Sequence, residues 1–350
     1  MAKKKKEGDE TAEVTSVSSI EERLKKQFGA NVIVSASYLI DKPQYIVSVS
    51  PQLDQILGGG IKYGSFVIPT GPPKVGKSSM SLAYSANALV NKHPELDTEL
   101  YIFNIEGRLN PRDLLGHRKL VPFIGTKIHV IGSEKGRILT AENYLDIGEQ
   151  LINEKPGCIF LFDSFSQLCS KAAKEKEWDG VQFRDNTATL LSQFCKRISN
   201  VIPINESVVI GITHQIANTG FGFSPWAEAS GNKIQYQVDV KLKATHCKEW
   251  KAGERVVGQD VFWECYCSPL LNGAAEGKCT SKLRYGWGID DAAELVEICI
   301  DINLIKKKGS WYTFPDGTQF QGKEGLRDAL ANDPQLLAEM TKAIKELMGT

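Results

Sequence analysis

Gly71-Pro72-Pro73-Lys74-Val75-Gly76-Lys77-Ser78 is the stretch on which the reading of this chain turns. It fits G-x-x-x-x-G-K-[ST], the pattern of a phosphate-binding loop. Its glycines let the backbone wrap an anion without Cβ clashes, and its amides point inward. Lys77 places a positive charge against the outer phosphates, and Ser78 offers a hydroxyl to Mg²⁺. Ser79 completes the expected phosphate contacts at the start of a helix whose positive end faces the same anion. The apolar run Phe66-Val67-Ile68 precedes the motif, and a helical pattern through Leu89 follows it. This strand, loop and helix order is the context that the phosphate-binding mechanism needs.

Outward from the loop, short apolar runs recur: Leu100-Tyr101-Ile102-Phe103, Ile128-His129-Val130-Ile131, Cys158-Ile159-Phe160-Leu161-Phe162 and Val208-Val209-Ile210-Gly211-Ile212. Helical stretches near 111–120, 140–153 and 185–200 separate them. Continuous apolar runs alternating with helices describe buried parallel strands in a βαβ series. Beyond about residue 235 the expected strands, 238–244, 260–267 and 280–286, come without helices between them, which predicts an antiparallel extension of the sheet. A helix over Ala292–Ile300, a hairpin of Trp311–Phe314 with Thr318–Phe320, and two helices ending near Met348 form a small α/β unit. Near the N-terminus, Ile20, Leu24 and Phe28 lie at helical spacing behind Ser18-Ser19, and Gly29 closes the helix. So short a helix has to dock on something.

The 42 basic and 42 acidic residues cancel, so any contact with nucleic acid is local or summed over an assembly. An apolar share of 42% is ample for a core. No run approaches the roughly 18 apolar residues of a membrane span, so no membrane partner is expected. Residues 1–17 are polar, with a basic run but no apolar stretch behind it, which excludes a secretory signal and predicts a cytoplasmic setting. The eight cysteines are then expected to be reduced thiols. Cys247, Cys265, Cys267 and Cys279, with His246, leave a zinc site open. Their C-x-C spacing falls in a strand pattern, however, where alternate residues simply share a face.

Three further positions carry chemistry. Asp163 ends the run Ile159–Phe162, where a carboxylate beside the loop can hold Mg²⁺ through water. Glu106, just past Leu100–Phe103, can polarise the water that attacks a γ-phosphate. Gln215, after His214 at the end of Val208–Ile212, can sense that phosphate through its amide. The stretch 216–230 that follows contains Gly220-Phe221-Gly222-Phe223-Ser224-Pro225-Trp226 and reads as a long mobile loop. Its aromatics suit stacking on bases.

Together with Lys26-Gln27-Phe28-Gly29, Leu53-Asp54-Gln55-Ile56-Leu57-Gly58-Gly59-Gly60, Gly231-Asn232-Lys233, Tyr285-Gly286-Trp287-Gly288-Ile289, Glu294-Leu295-Val296 and Gly309-Ser310-Trp311-Tyr312, these residues resemble the RecA family of recombinases and its phage-encoded relatives from about Ile20 to Met348. The resemblance implies an α/β, RecA-like P-loop ATPase core with an N-terminal docking helix and a small α/β C-terminal domain. The implied segments are a polar tail (1–17), an N-terminal oligomerisation helix and strand (18–48), the ATPase core (49–284) and the C-terminal domain (285–350). It implies ATP and Mg²⁺ as cofactors, with Lys77, Glu106 and Gln215 catalytic and Ser78 and Asp163 on the metal. DNA-binding loops would lie near 175–186 and 216–230, the second using Gly220, Phe221, Gly222, Phe223, Trp226, Gly231, Asn232 and Lys233.

The implied partners are single- and double-stranded DNA and further copies of the chain in a helical filament. The implied function is DNA-dependent ATP hydrolysis in homologous pairing and strand exchange. The alternatives are a nucleotide-gated assembly or regulatory factor without strand exchange, and a helicase or loader. The chain departs from the family at positions that include the following. Asp113 stands where the family stacks a tyrosine on adenine. Cys267-Ser268-Pro269-Leu270-Leu271-Asn272-Gly273 lacks the lysines that reach a neighbour's γ-phosphate. Ala217 and Asn218 replace the basic start of the second loop.

Overall fold

A computed structural model describes residues 20–176, 185–217, 226–228, 237–271, 277–314 and 317–348. Two units emerge, one ending at Gln44 and the other running from Tyr45 to Thr350. In the first, residues 20–28 are helical and Gly29, at φ +114°, ends the helix. A second short helix, Ala36–Asp41, follows with Ser35 as its cap.

The second unit opens with β1 (Ile46–Val47), antiparallel to β2 (Ile61–Lys62). The strand expected with the N-terminal segment is therefore part of the larger unit. Between these strands lies the helix Pro51–Leu57, which Ser50 caps and Gly58 ends in the left-handed region. The large sheet then takes β3 (Phe66–Thr70), β4 (Leu100–Asn104), β5 (Ile128–Ile131), β6 (Ile159–Asp163) and β7 (Val208–Gly211). After a separate antiparallel pair, β8 (Gln215–Ala217) and β9 (Trp226–Glu228), come β10 (Val240–Ala252), β11 (Arg255–Cys267), β12 (Gly277–Arg284) and β13 (Gly288–Ile289). Their spatial order is β13-β12-β11-β10-β3-β7-β6-β4-β5. From β10 through β5 neighbouring strands are parallel, and from β10 to β13 they are antiparallel.

The continuous apolar runs are strands covered on both faces. Val67, Ile159 and Leu161 join one core, while Phe66, Ile68, Phe160 and Phe162 join the other, as the two-residue period demands. Phe103 and Phe162 stack at 4.1 Å between centroids in the second core. The helices Lys77–Asn91, Ala141–Glu154 and Thr187–Ile198 fall where the sequence places them.

The helix expected near 111–120 is shorter. Pro111–Leu115 is helical, Gly116 caps it, and a separate 3₁₀ turn over Val121–Phe123 follows. Glycine is a poor helix continuer, and Pro122 cannot donate into a helical ladder. The antiparallel strands run longer than expected, because paired backbone extends them past the apolar stretches. The expected loop 216–230 begins and nears its end as paired strand, through β8 and β9.

The C-terminal part has its own core of Leu295, Ile298, Tyr312, Phe314, Leu326 and Ile344 among others. Its helix Asp291–Asp301 is followed by β14 (Lys306–Lys308), β15 (Trp311–Thr313) and β16 (Gln319–Gln321), then by helices Gly322–Asn332 and Pro334–Met348. The hairpin is legible in the sequence; β14, an all-lysine exposed strand, carries no apolar signal. The part is anchored by buried carboxylates. Asp290 accepts from Arg327 Nε at 2.9 Å, and Glu294 accepts from Ser281 Oγ at 2.6 Å and from the backbone N–H of Gln52 at 2.9 Å.

Candidate nucleotide site

The loop after β3 sits at the carboxyl edge of the sheet, next to the ends of β7, β6 and β4, where open α/β sheets place ligands. Gly71 has φ +146°, and a Cβ there would lie 2.3 Å from the carbonyl oxygen of Ala244 in β10. Gly76 has φ +90°. Both conformations disfavour any other residue. Pro73 and Lys74 face solvent, Pro72 is half-buried, and Val75 is turned into the core. Lys77, Ser78 and Ser79 form the first turn of the helix.

Lys77 is only 4% exposed. Its Nζ donates to the carbonyls of Gly71 at 3.0 Å and Pro72 at 2.6 Å, which folds the ammonium back under the loop. Burial pulls this ammonium down to about 8, against the opposing pull of Asp163 and Glu106. Ser78 Oγ donates to Asp163 Oδ2 at 2.7 Å. Burial pushes the Asp163 carboxyl above the usual range, and neither the Ser78 hydrogen bond nor Lys77 fully offsets it. A hydroxyl and a buried carboxylate in contact are hard oxygen donors of the kind Mg²⁺ takes, and a cation there would relieve the burial cost. Among the described residues no group of three or more His, Cys, Asp or Glu side chains converges on a metal position. Cys265 and Cys267 lie on β11, Cys279 on β12, and Cys247 is exposed.

Glu106 lies past the end of β4, where its amide donates to the Asp163 carbonyl at 3.2 Å. Its Oε1 accepts from Ser164 Oγ at 2.8 Å and meets His214 Nε2 at 2.8 Å, while Arg108 stands 3.7 Å from Oε2. Burial raises this carboxyl, but the hydrogen bonds from His214 and Ser164, followed by the charges of His214 and Arg108, more than reverse the effect. It is held below its ordinary value and is ionised near neutrality. Gln215 opens β8, with its backbone N–H donating to the Gly71 carbonyl at 3.3 Å, so its backbone borders the loop directly.

The structure thus brings Lys77, Ser78, Asp163, Glu106 and Gln215 to one edge. Asp113 is the partner of Asn110 in a capping box and accepts from the Asn110 backbone N–H at 2.9 Å. Trp226 lies in β9. Gly220, Phe221, Gly222, Phe223, Gly231, Asn232 and Lys233 lie outside the described residues, as does most of the expected first DNA loop. Two further side chains of the site, Ser164 and His214, match no motif in the sequence that would give them a role. Their signal was position: each directly follows or lies near the end of a buried strand beside β3 or β4.

This strand order, with a glycine-rich loop after the central strand and carboxylates at the ends of its neighbours, defines a RecA-like α/β core followed by a small C-terminal domain. Residues 293–349 match the family model of the RecA C-terminal domain. The chain is 25% identical over 337 residues to the protein named RecA of Xanthomonas campestris pv. campestris, covering 93% of this chain and 91% of that one. It is 26% identical over 331 residues to that of Xylella fastidiosa, covering 93% and 90%. Against that of Enterococcus faecalis it is 25% identical over 330 residues, again covering 93% and 90%. These matches support a RecA-family protein. No helix among the described residues is long and apolar enough to cross a membrane.

Proposed function

We propose that the protein is an ATP-dependent recombinase that polymerises on single-stranded DNA and promotes homologous pairing and strand exchange. The observation that carries this reading is the convergence of Lys77, the Ser78–Asp163 pair and Glu106 on the carboxyl edge of a RecA-like sheet. Lys77 exchanges its bonds to the Gly71 and Pro72 carbonyls for the outer phosphates of ATP. Ser78 and Asp163 hold Mg²⁺, which neutralises phosphate oxygen charge when bound. Glu106 takes the proton of the attacking water. Gln215 links the γ-phosphate to the β8–β9 segment, and the glycine-rich and aromatic residues beyond contact DNA. ATP between neighbouring copies ties nucleotide binding to filament assembly.

The test is ATP turnover with and without single-stranded DNA, together with electron microscopy on DNA with a non-hydrolysable ATP analogue. Stimulated turnover and helical filaments are expected, with binding that weakens as salt rises. Turnover indifferent to DNA, with ATP still bound, would instead favour a nucleotide-gated assembly factor. The absence of lysine from Cys267 to Gly273 is the feature that favours this second reading.

The buried lysine sets a pH dependence. Because the free Lys77 ammonium is pulled down to about 8, it is protonated below that pH and neutral above it. ATP recruits the protonated form. Affinity should therefore be level below about pH 8 and fall roughly tenfold per pH unit above it. Titrating a fluorescent ATP analogue across this range checks the sign. Affinity unchanged well above pH 8 would refute it.

A further inference from the structure

His214 is one of the side chains beside Glu106 that the proposed function leaves without a role. We infer that His214 is a positioning residue for ATP hydrolysis, holding the Glu106 carboxylate in its working orientation. The inference rests on the proposed role of Glu106 in activating water.

His214 follows β7, and Glu106 follows β4. These strands are separated in the sheet by β6, so the contact joins two strand ends across the site. Glu106 Oε1 receives two donors, Ser164 Oγ and His214 Nε2, each at 2.8 Å. Those bonds occupy one carboxylate oxygen and fix the plane of the group. Among the described residues Oε2 has only the outlying Arg108 at 3.7 Å, a side chain 85% exposed, so its lone pairs are left for a water.

The imidazole is itself held. The His214 amide donates to Ser166 Oγ at 2.8 Å, and the ring is largely buried at 22% side-chain exposure. Its Nδ1 is buried without a hydrogen-bond partner among the described residues. An unpaired buried polar atom has a cost, of about 1–3 kcal/mol in general. The hydrogen bond that the described ring does make is the one at its other nitrogen, to Glu106. Ser164 alone would leave the carboxylate free to rotate about its hydrogen bond; the second donor, from a different strand, removes that freedom. A small loss of alignment at a general base lowers turnover without weakening substrate binding.

The experiment compares His214→Ala and His214→Gln with the parent in steady-state ATP hydrolysis and in binding of a non-hydrolysable ATP analogue. The glutamine side chain carries an amide N–H at about the reach of the imidazole Nε2, so His214→Gln restores the donor without the ring. The expected result is a fall in kcat of about 10- to 100-fold for His214→Ala, with KM and analogue affinity within about twofold of the parent. His214→Gln should recover most of the loss. Three outcomes would overturn the inference: kcat unchanged in His214→Ala, a KM that rises in proportion to the loss, or a His214→Gln variant as slow as the alanine variant. If the alanine variant does not fold, as read by thermal unfolding, the glutamine variant decides: near-parental kcat supports the inference and an alanine-like loss of turnover refutes it. The Glu106→Gln variant separates the two readings. Turnover persisting there removes the role of Glu106 itself, whereas an inactive Glu106→Gln beside a fully active His214→Ala refutes only the positioning role.

Discussion

Lys77→Ala is expected to abolish useful ATP binding while leaving the protein folded. Nζ is a cation buried beneath the loop, in a residue 4% exposed, and bonded to the carbonyls of Gly71 and Pro72. Removing the cationic partner of a buried charged contact costs about 2–5 kcal/mol. At 1.4 kcal/mol per tenfold, that is a loss of roughly thirty-fold to a few thousand-fold in affinity. In the free protein the substitution also removes a burial penalty, the same one that pulls the ammonium down to about 8. Thermal stability without nucleotide should therefore hold or rise slightly. Calorimetric titration with an ATP analogue, beside a thermal melt, separates the two effects. An affinity within about threefold of the parent would show that the phosphates do not lie against Nζ.

Glu106→Gln is expected to separate binding from turnover. The replacement amide is nearly isosteric, and its oxygen can still accept from Ser164 Oγ and His214 Nε2. The local structure is therefore kept. The carboxylate's basicity is lost, and general-base catalysis is worth about 10²- to 10⁴-fold. Turnover should fall by that factor, ATP binding should stay close to parental, and filaments on DNA should persist because nothing dissolves them. Single-turnover hydrolysis with excess protein measures this loss directly. Normal hydrolysis would move the base to another residue.

The loop 71–78 stands out in the sequence because the phosphate-binding role proposed for it needs glycines and a lysine at fixed spacing within one short segment. The parallel strands were readable because burial on both faces leaves nearly unbroken apolar runs, as in Ile159–Phe162. The lysine strand β14 was not, since an exposed strand of identical charged residues has no apolar period. The early end of the helix at Leu115 was a boundary set by Gly116, and a local pattern of apolar residues runs past such a stop.

The sequence by itself determined the class of fold, the loop and the identity of its lysine and serine, because each is set by neighbours within a few residues. Only the tertiary structure decided which side chains share the edge of the sheet. Ser78 reaches Asp163, 85 positions away, and Glu106 meets His214, 108 positions away. Those contacts depend on the strand order β3-β7-β6-β4, which differs from the order along the chain. Hydrogen bonds act over about 3 Å, so the partner that orients Glu106 became visible only when sheet pairing had brought the strand ends together.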